Sequence, residues 1–387
     1  MQKILFVSSK HLSKDLLDGA QKRAYQIMKS LSRSGKIDFV YVGNSLPDKT
    51  NKLKFCNKKI AFKVNFLSRI INTITSILKF EPMQNGFFYS KEMSNFIFEN
   101  KENYDVIIFH LTRCACYLPG EYRGKTILEA TDLVSANYEQ IVENFSFLNP
   151  VKYIYWIEKI LMKSYEKKIF SLFDNIVFIS KNEFSKIQFV HEKNKVLNIE
   201  NSFDTKRKVF NHNKNNFKIF FVGNINYLPN KLACYNFAKN TLPKINKKYS
   251  KIEFHIIGQI NYFDKFFLQD SNVIVHGPIK KLENVLKKAI CGLCNVDIAT
   301  GLQNKIFTYM SYGLPAVISE KSYPRSLIKK NKEVLVYNNE KQLINYIFKL
   351  IEDKRFSNKI SKNAHITIRK KFGFPKTYDK YVRLIKS

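Results

Sequence analysis

Short apolar runs separated by amphipathic stretches recur along this chain, and the series breaks off once and then begins again. Residues 3–8, 36–43, 104–110, 124–130 and 175–180 read as strands, with helices at 19–34 and 153–172. The segments YDVIIFH and GKTILEA carry consecutive apolar residues, Val106 to Phe109 and Ile127-Leu128, rather than a strict alternation. Strands covered by helices on both faces have that pattern, so the expected sheet is parallel and doubly wound. The tract NSFDTKRKVFNHNKNN then interrupts the periodicity. After it, strands are expected at 218–223, 252–258, 273–277, 290–297 and 315–319, with helices from about residues 231, 281 and 303. Two consecutive α/β domains are therefore expected: 1–200, a linker at 201–216, and 217–372. A terminal helix at 373–387, set off by the Gly373-Phe-Pro375 break, either completes the second domain or crosses back to the first.

A length of 387 residues fits two such domains. With 45% hydrophobic and 25% charged residues, the balance is that of a folded globular chain. No window reaches the roughly 18 to 20 consecutive apolar residues of a membrane span. The apolar core of MQKILFVSSKHL is too short for a secretion signal and reads as a first strand. A cytoplasmic chain, peripheral to the inner face of the cell membrane, is the expectation. Of the six cysteines, only Cys291 and Cys294 have a spacing that suggests a metal. They fall on a strand, where positions three apart face opposite sides, so no metal site is expected.

In open α/β sheets ligands bind beyond the carboxyl ends of the strands, which draws attention to the loops there. Gly19 precedes the first helix, whose amino terminus offers N–H groups to a phosphate. Gly223 and Asn224 close the first strand of the second half, just before Pro229 opens a helix. In TGLQNKIFTYMSYGLPAV, Gly301 and Leu302 lead into a helix beginning at Gln303, Asn304 and Lys305, an amino terminus suited to a diphosphate. Gly313 ends that helix and Pro315 opens the next strand. His110 ends an apolar strand and is expected to point away from the core, where an imidazole titrating near neutrality can handle a proton or bind a hydroxyl. Arg113 and Asp132 follow neighbouring strand ends. Signatures of serine hydrolases, zinc peptidases and phosphate-loop nucleotidases are missing from the sequence.

HLTRCACYL (110–118), ILEATDLVSANYE (127–139), FVGNINYLPN (221–230) and GLQNKIFTYMSYGLPAV (301–317) occur together in an order that resembles glycosyltransferases of the GT-B fold, family 4. Bacterial sugar transferases of exopolysaccharide systems look most similar. The resemblance implies two Rossmann-like domains facing across a cleft, with a nucleotide-sugar donor on the second and an acceptor on the first. It also implies transfer with retention, without a metal or a bound cofactor, in the building of a polysaccharide or lipopolysaccharide. By position, Gly19 resembles the family's phosphate-side glycine loop, His110 its cleft histidine, and residues 301–305 its diphosphate and ribose site. Many relatives carry two glutamates eight residues apart in the donor loop, and Thr300 and Thr308 stand at those places here. Asn224 and Asn226 stand where many relatives have a basic pair. A GT-B protein without turnover, acting as a binding partner, is the alternative these departures raise.

The formal net charge of +33 points to an anionic partner, either nucleic acid or the surface of a bilayer. No nucleic-acid recognition module or aromatic stacking motif is present, which favours the membrane. Residues 51–80 combine Lys52, Lys54, Lys58, Lys59, Lys63 and Arg69 with apolar Leu67, Ile70, Ile71, Ile74 and Leu78. A basic amphipathic helix on lipid has this pattern. So does a helix packed on the sheet, and the apolar stripe is expected to pack internally, leaving the lysines to touch an anionic membrane that presents a glycan or lipid-linked acceptor.

Overall fold

The structure, a computed structural model, describes residues 1–12, 19–43, 53–180, 195–203, 210–279, 281–297 and 302–386. The chain forms two compact units, one of Met1–Asn201 with Thr377–Ser387 and the other of Ser202–Lys376. The last helix therefore belongs to the first unit. Asn201 sits in that unit, whereas Phe210, from the tract expected to be a linker, is buried in the core of the second.

The first unit is built on a seven-stranded parallel sheet, ordered β3-β2-β1-β4-β5-β6-β7. These strands are β1 Gln2–Ser8, β2 Gly35–Val42, β3 Cys56–Phe62, β4 Val106–His110, β5 Lys125–Thr131, β6 Asn175–Phe178 and β7 Val196–Asn198. Every residue of β4 is buried, the environment its unbroken apolar run requires. Alternate residues feed two separate cores. Leu5, Val7, Ile107 and Phe109 join one, while Ile4, Phe6, Val106 and Ile108 join the other. Helix α1, Gly19–Leu31, lays Ala24, Ile27, Met28 and Leu31 on the second core. Tyr381, Leu384 and Ile385 of the terminal helix share that core.

The opposite face is covered by α2 Phe66–Leu78, α3 Met83–Phe87, α4 Lys91–Asn100, α5 Val134–Asn144 and α6 Pro150–Phe170. Two buried glutamates of α6 hold the starts of its neighbours. The Glu158 carboxylate accepts from the Met83 N–H of α3 at 2.9 Å, and Glu166 accepts from the Val134 N–H of α5 at 2.8 Å. Anionic groups at helix amino termini satisfy orphan N–H groups and the helix dipole together.

Two expectations about the basic tract fail in this unit. Part of the tract is the edge strand β3 rather than helix, paired in parallel with β2 and with Lys59 to Phe62 half-buried beside it. The apolar stripe of α2 also does not pack internally: Leu67, Ile70, Ile71, Ile74 and Leu78 are 41 to 75% exposed. The helix turns its polar side to the protein instead.

The second unit has a six-stranded parallel sheet, ordered β10-β9-β8-β11-β12-β13, over one continuous core. Its strands are β8 Lys218–Val222, β9 Glu253–Ile257, β10 Val273–Gly277, β11 Ala289–Cys294, β12 Ala316–Ser319 and β13 Leu335–Tyr337. Helices α7 Leu228–Asn236, α8 Leu242–Asn246, α9 Tyr262–Leu268, α10 Asn304–Ser311, α11 Glu340–Glu352 and α12 Lys354–Lys371 surround it. The chain then runs into α13, Phe374–Lys386. The helix expected from residue 281 is only a 3-10 turn, Leu282–Asn284. The chain must reach β11 within a few residues, and Lys288 adopts a left-handed φ of 61° to enter it.

Candidate functional site

In the second unit, the order of strands reverses direction between β8 and β11. Such switch points open a crevice at the carboxyl ends of the strands. Gly223 follows β8, with Asn224 exposed beside it, and residues 295–297 follow β11. The turn at Gly223 is held by its N–H, which donates to Ile257 O at 2.9 Å, and by Gly258 packed against it. Gly258 has φ +146°, and a Cβ there would lie 1.7 Å from Gly223 O, so only glycine fits.

Helix α10 begins beside this turn without a side-chain cap from Gln303 and without an acid in its first turn. Lys305 occupies that turn and is only 8% exposed. Its ammonium donates to Asn230 Oδ1 at 2.5 Å and to Gln303 Oε1 at 3.5 Å, and lies 4.5 Å from the centre of the Phe221 ring. Burial lowers its pKa, opposed by the thiols of Cys294 and Cys234. Burial raises the pKa of both thiols, and Lys305 opposes that rise at each. Lys305 thus stands at the positive end of a helix with no carboxylate paired to it among the described residues.

Beneath the site, Tyr309 of α10 accepts from Val222 N at 2.8 Å and donates to Leu293 O at 3.1 Å, joining the ends of β8 and β11. Gly292 makes room for this ring, since a Cβ there would lie 2.3 Å from it. Gly313 closes the helix at φ +68°, its N–H donating to Met310 O at 3.0 Å. Thr308 donates to Asn304 O at 3.0 Å, so its hydroxyl hydrogen is committed to its own helix. Leu302, Gln303 and Asn304 are half-buried at the entry to α10. Gly301 and Thr300 lie outside the described residues.

The first unit has its own switch point, between β1 and β4. His110 ends β4 there, in register with Ser8 of β1 and Glu129 of β5. It is not turned out of the core as expected but is enclosed, 1% exposed. The first turn of α1 covers it: Ala20 O lies 3.0 Å from His110 Nε2, and the Phe6 ring packs 5.8 Å away. Gly19, exposed, is the first residue of that same helix. Backbone strain marks this strand edge. Leu111, directly after His110, has φ 76°, and Thr131, directly before Asp132, has φ 73°. A β-branched residue at positive φ is rare, and such strain gathers where function requires it. The hydroxyl oxygens of Thr112 and Thr131 are shielded from solvent and lack hydrogen-bond partners among the described residues. Arg113, in a 3-10 turn, places its guanidinium 4.4 Å from the centre of the Phe88 ring. Asp132 acts electrostatically on Arg23.

The structure thus collects Gly223, Asn224 and residues 302–305 at one switch point, and Gly19, His110, Arg113 and Asp132 near the ends of adjoining elements in the other unit. Sequence reading passed over Asn230, Gly258 and Tyr309. Asn230 has a signal, lying one residue past Pro229 at a helix start. Tyr309 reads as plain core from sequence alone. No helix among the described residues is long and apolar enough to cross a membrane. The described residues also hold no cluster of three or more potential metal ligands.

Residues 216–353, which contain this whole second site, match the family model described as glycosyl transferases group 1. No curated protein sequence matches the chain. Among solved structures, HepE of Anabaena in complex with UDP-glucose aligns over 100% of both chains at 13% identity, with a TM-score of 0.68. Sucrose-phosphate synthase of Thermosynechococcus elongatus aligns over 100% of this chain and 98% of its own, at 13% identity and a TM-score of 0.73. The lipopolysaccharide outer core galactosyltransferase WaaB aligns over 99% of each chain, at 14% identity and a TM-score of 0.58. With two parallel-sheet units matching these proteins end to end, the chain has the GT-B fold, and its second unit carries a glycosyl transferases group 1 domain.

Proposed function

We propose that this protein is a glycosyltransferase that binds a UDP-sugar on its second unit and passes the sugar to an acceptor held by the first. The observation that carries the proposal is Lys305, a buried cation at the start of α10, within the domain that matches group 1. In this reading the diphosphate receives the N–H groups of α10 and the Lys305 ammonium, and Gly223 and Gly258 let the backbone come close. Leaving-group charge is then neutralised by the protein itself, without a metal. The UDP-glucose bound to HepE favours uridine as the nucleotide.

On the first unit, His110, Arg113 and Asp132 are proposed to meet the sugar and acceptor, beside the strained turns at Leu111 and Thr131. We further propose a retaining transfer of the family 4 kind. The acceptor would be a growing cell-surface polysaccharide, lipopolysaccharide or lipid-linked glycan, and the likeness to WaaB supports that class. Thr308 replaces a carboxylate at the ribose, so part of the ribose affinity is expected to come from elsewhere.

Calorimetric titration with UDP and a panel of nucleotide sugars tests the donor site, using Lys305→Met as the variant. Methionine fills the same space without charge, so the fold should persist while UDP affinity falls by about 10- to 100-fold, the worth of a hydrogen bond to a charged group. Failure of the wild-type protein to bind, hydrolyse or transfer from any donor would sink the enzymatic reading. Binding without turnover would favour the alternative of a GT-B binding partner, which the Thr308 hydroxyl bonded to its own helix already motivates.

A further inference from the structure

Helix α2 is amphipathic with its faces reversed. Its only charged side chain, Arg69, turns inward, donating to Phe87 O at 3.0 Å and lying 4.9 Å from the centre of the Phe87 ring. Asn72 donates to Tyr89 O at 3.2 Å, and Ser76 is the one buried residue of the helix. Gly86 of α3 packs so closely that a Cβ would lie 2.1 Å from Asn72 O. Behind this polar side is a cavity of about 400 Å³, lined by Asn72, Ser76, Asn85 and Tyr165 among others. The opposite side carries Phe66, Leu67, Ile71, Ile74, Ile77 and Leu78, and the next turn adds Phe80 at 81% exposure. Asn65 caps the helix by accepting from Ser68 N at 2.7 Å, so the element is formed and anchored, with its apolar face outward.

Water penalises such a face, whereas isolated exposed leucines are ordinary. Charge selects what covers it. Residues 53–80 contain Lys54, Lys58, Lys59, Lys63, Arg69 and Lys79 and no aspartate or glutamate. Lys63 and Lys79 are exposed at the two ends of α2. A second copy would bring two chains of charge +33 together at their basic tracts, which opposes self-association. An anionic bilayer accepts both features at once, apolar side chains at the acyl boundary and lysines among the headgroups.

We infer that α2, with Lys63 and Lys79 at its ends, lies in the interface of a bilayer containing anionic lipid and docks the first unit there. The purpose, bringing the acceptor-binding unit to a lipid-linked acceptor, rests on the function proposed above; the docking itself does not. Trp156, the chain's sole tryptophan, and Tyr153 are exposed on α6, residue types that favour the membrane–water interface.

Co-sedimentation of the full-length protein with vesicles tests this, using phosphatidylcholine alone and phosphatidylcholine mixed with phosphatidylglycerol. The wild type should bind the mixed vesicles and bind the neutral ones more than tenfold more weakly. The triple variant Leu67→Ser, Ile71→Ser, Ile74→Ser alters only exposed positions, so its circular dichroism and melting temperature should match the wild type. Its affinity for mixed vesicles should fall more than tenfold. The pair Lys63→Glu and Lys79→Glu should lose affinity on mixed vesicles and little on neutral ones. Unchanged binding by the serine variant would overturn the inference. So would a wild-type oligomer that ignores vesicles and becomes monomeric with the serines, since a second copy would then cover the face. UDP titration of the same preparation keeps the two readings apart. UDP binding without vesicle binding defeats only the docking, and vesicle binding without UDP binding defeats only the donor site.

Discussion

At the scale of single residues, burial decides which ionisable groups keep their ordinary behaviour. His255 of β9 is buried, and Glu253 Oε2 lies 2.7 Å from its Nε2. If that nitrogen donates, Nδ1 is left to accept from His276 Nε2, at 2.7 Å. Burial pushes the His255 imidazole down to about 4, overcoming the hydrogen bond to Glu253, while Lys218 and His276 push the same way. The pKa of His276 is lowered too, by burial first and Lys218 second. An unfolded histidine titrates near 6.5, so between that pH and about 4 the unfolded chain binds more protons than the folded one. This contribution to stability is whole above pH 6.5 and drains away as the pH falls toward 4. The melting temperature should therefore drop on acidification from pH 7 to 5. His255→Gln, which keeps a donor to Glu253, should flatten that slope. Equal slopes for both proteins would show that the histidine pair does not titrate as described.

At the scale of elements, the terminal helix α13 shows how one buried cluster fixes a long-range arrangement. Arg23 of α1 and Glu129 of β5 form an ion pair at 2.6 Å, with side-chain exposures of 2% and 0%. Arg23 also donates to Asn201 Oδ1, Ile199 O and the Tyr381 hydroxyl, each within 2.9 Å. Tyr381, on α13, donates to Glu129 in turn. Burial opposes both charges and lifts the Glu129 carboxyl; at Arg23, burial is the largest single influence, but Glu129, Tyr381 and Asp132 together outweigh it and the guanidinium pKa is raised. Removing one partner leaves an uncompensated charge in the core. Arg23→Met should cost about 3–5 kcal/mol in urea denaturation. Tyr381→Phe should cost about 1.5–3 kcal/mol by deleting a hydrogen bond to charge. Replacing both ions, Arg23→Met with Glu129→Leu, should recover much of the loss. A double variant as unstable as Arg23→Met alone would mean that packing, not the stranded charge, sets the cost.

For the whole molecule, an excess of 33 positive charges must attract polyanions without regard to sequence. Binding to a random DNA duplex should accordingly weaken by about 10³-fold or more between 50 and 200 mM salt, as counterion release requires. Fluorescence anisotropy across that range checks it. Affinity that resists salt, or that discriminates between duplexes, would identify a nucleic-acid reader instead. Vesicle binding should fall less steeply, because the apolar face of α2 is indifferent to ionic strength.

Much of this protein was determined locally and is visible in the sequence. The unbroken apolar run of β4 specifies a strand buried on both sides, and parallel pairing follows because only helical crossovers can cover both faces. The glycine turn at Gly223 and the helix start at residues 303–305 are likewise local, since they depend on backbone freedom and unsatisfied N–H groups. Tertiary structure alone decided the rest. Whether the stripe on α2 faces inward or outward depends on what its polar side can bond to, here Phe87 O and Tyr89 O. His110 is enclosed because α1 folds over the end of β4. Lys305 is stripped of water only when Asn230, far away in sequence, accepts its hydrogen bond and Phe221 closes over it. Periodicity fixes which residues share a face, but which face is covered, and which charge is stripped of water, is settled by the neighbours that folding brings to it.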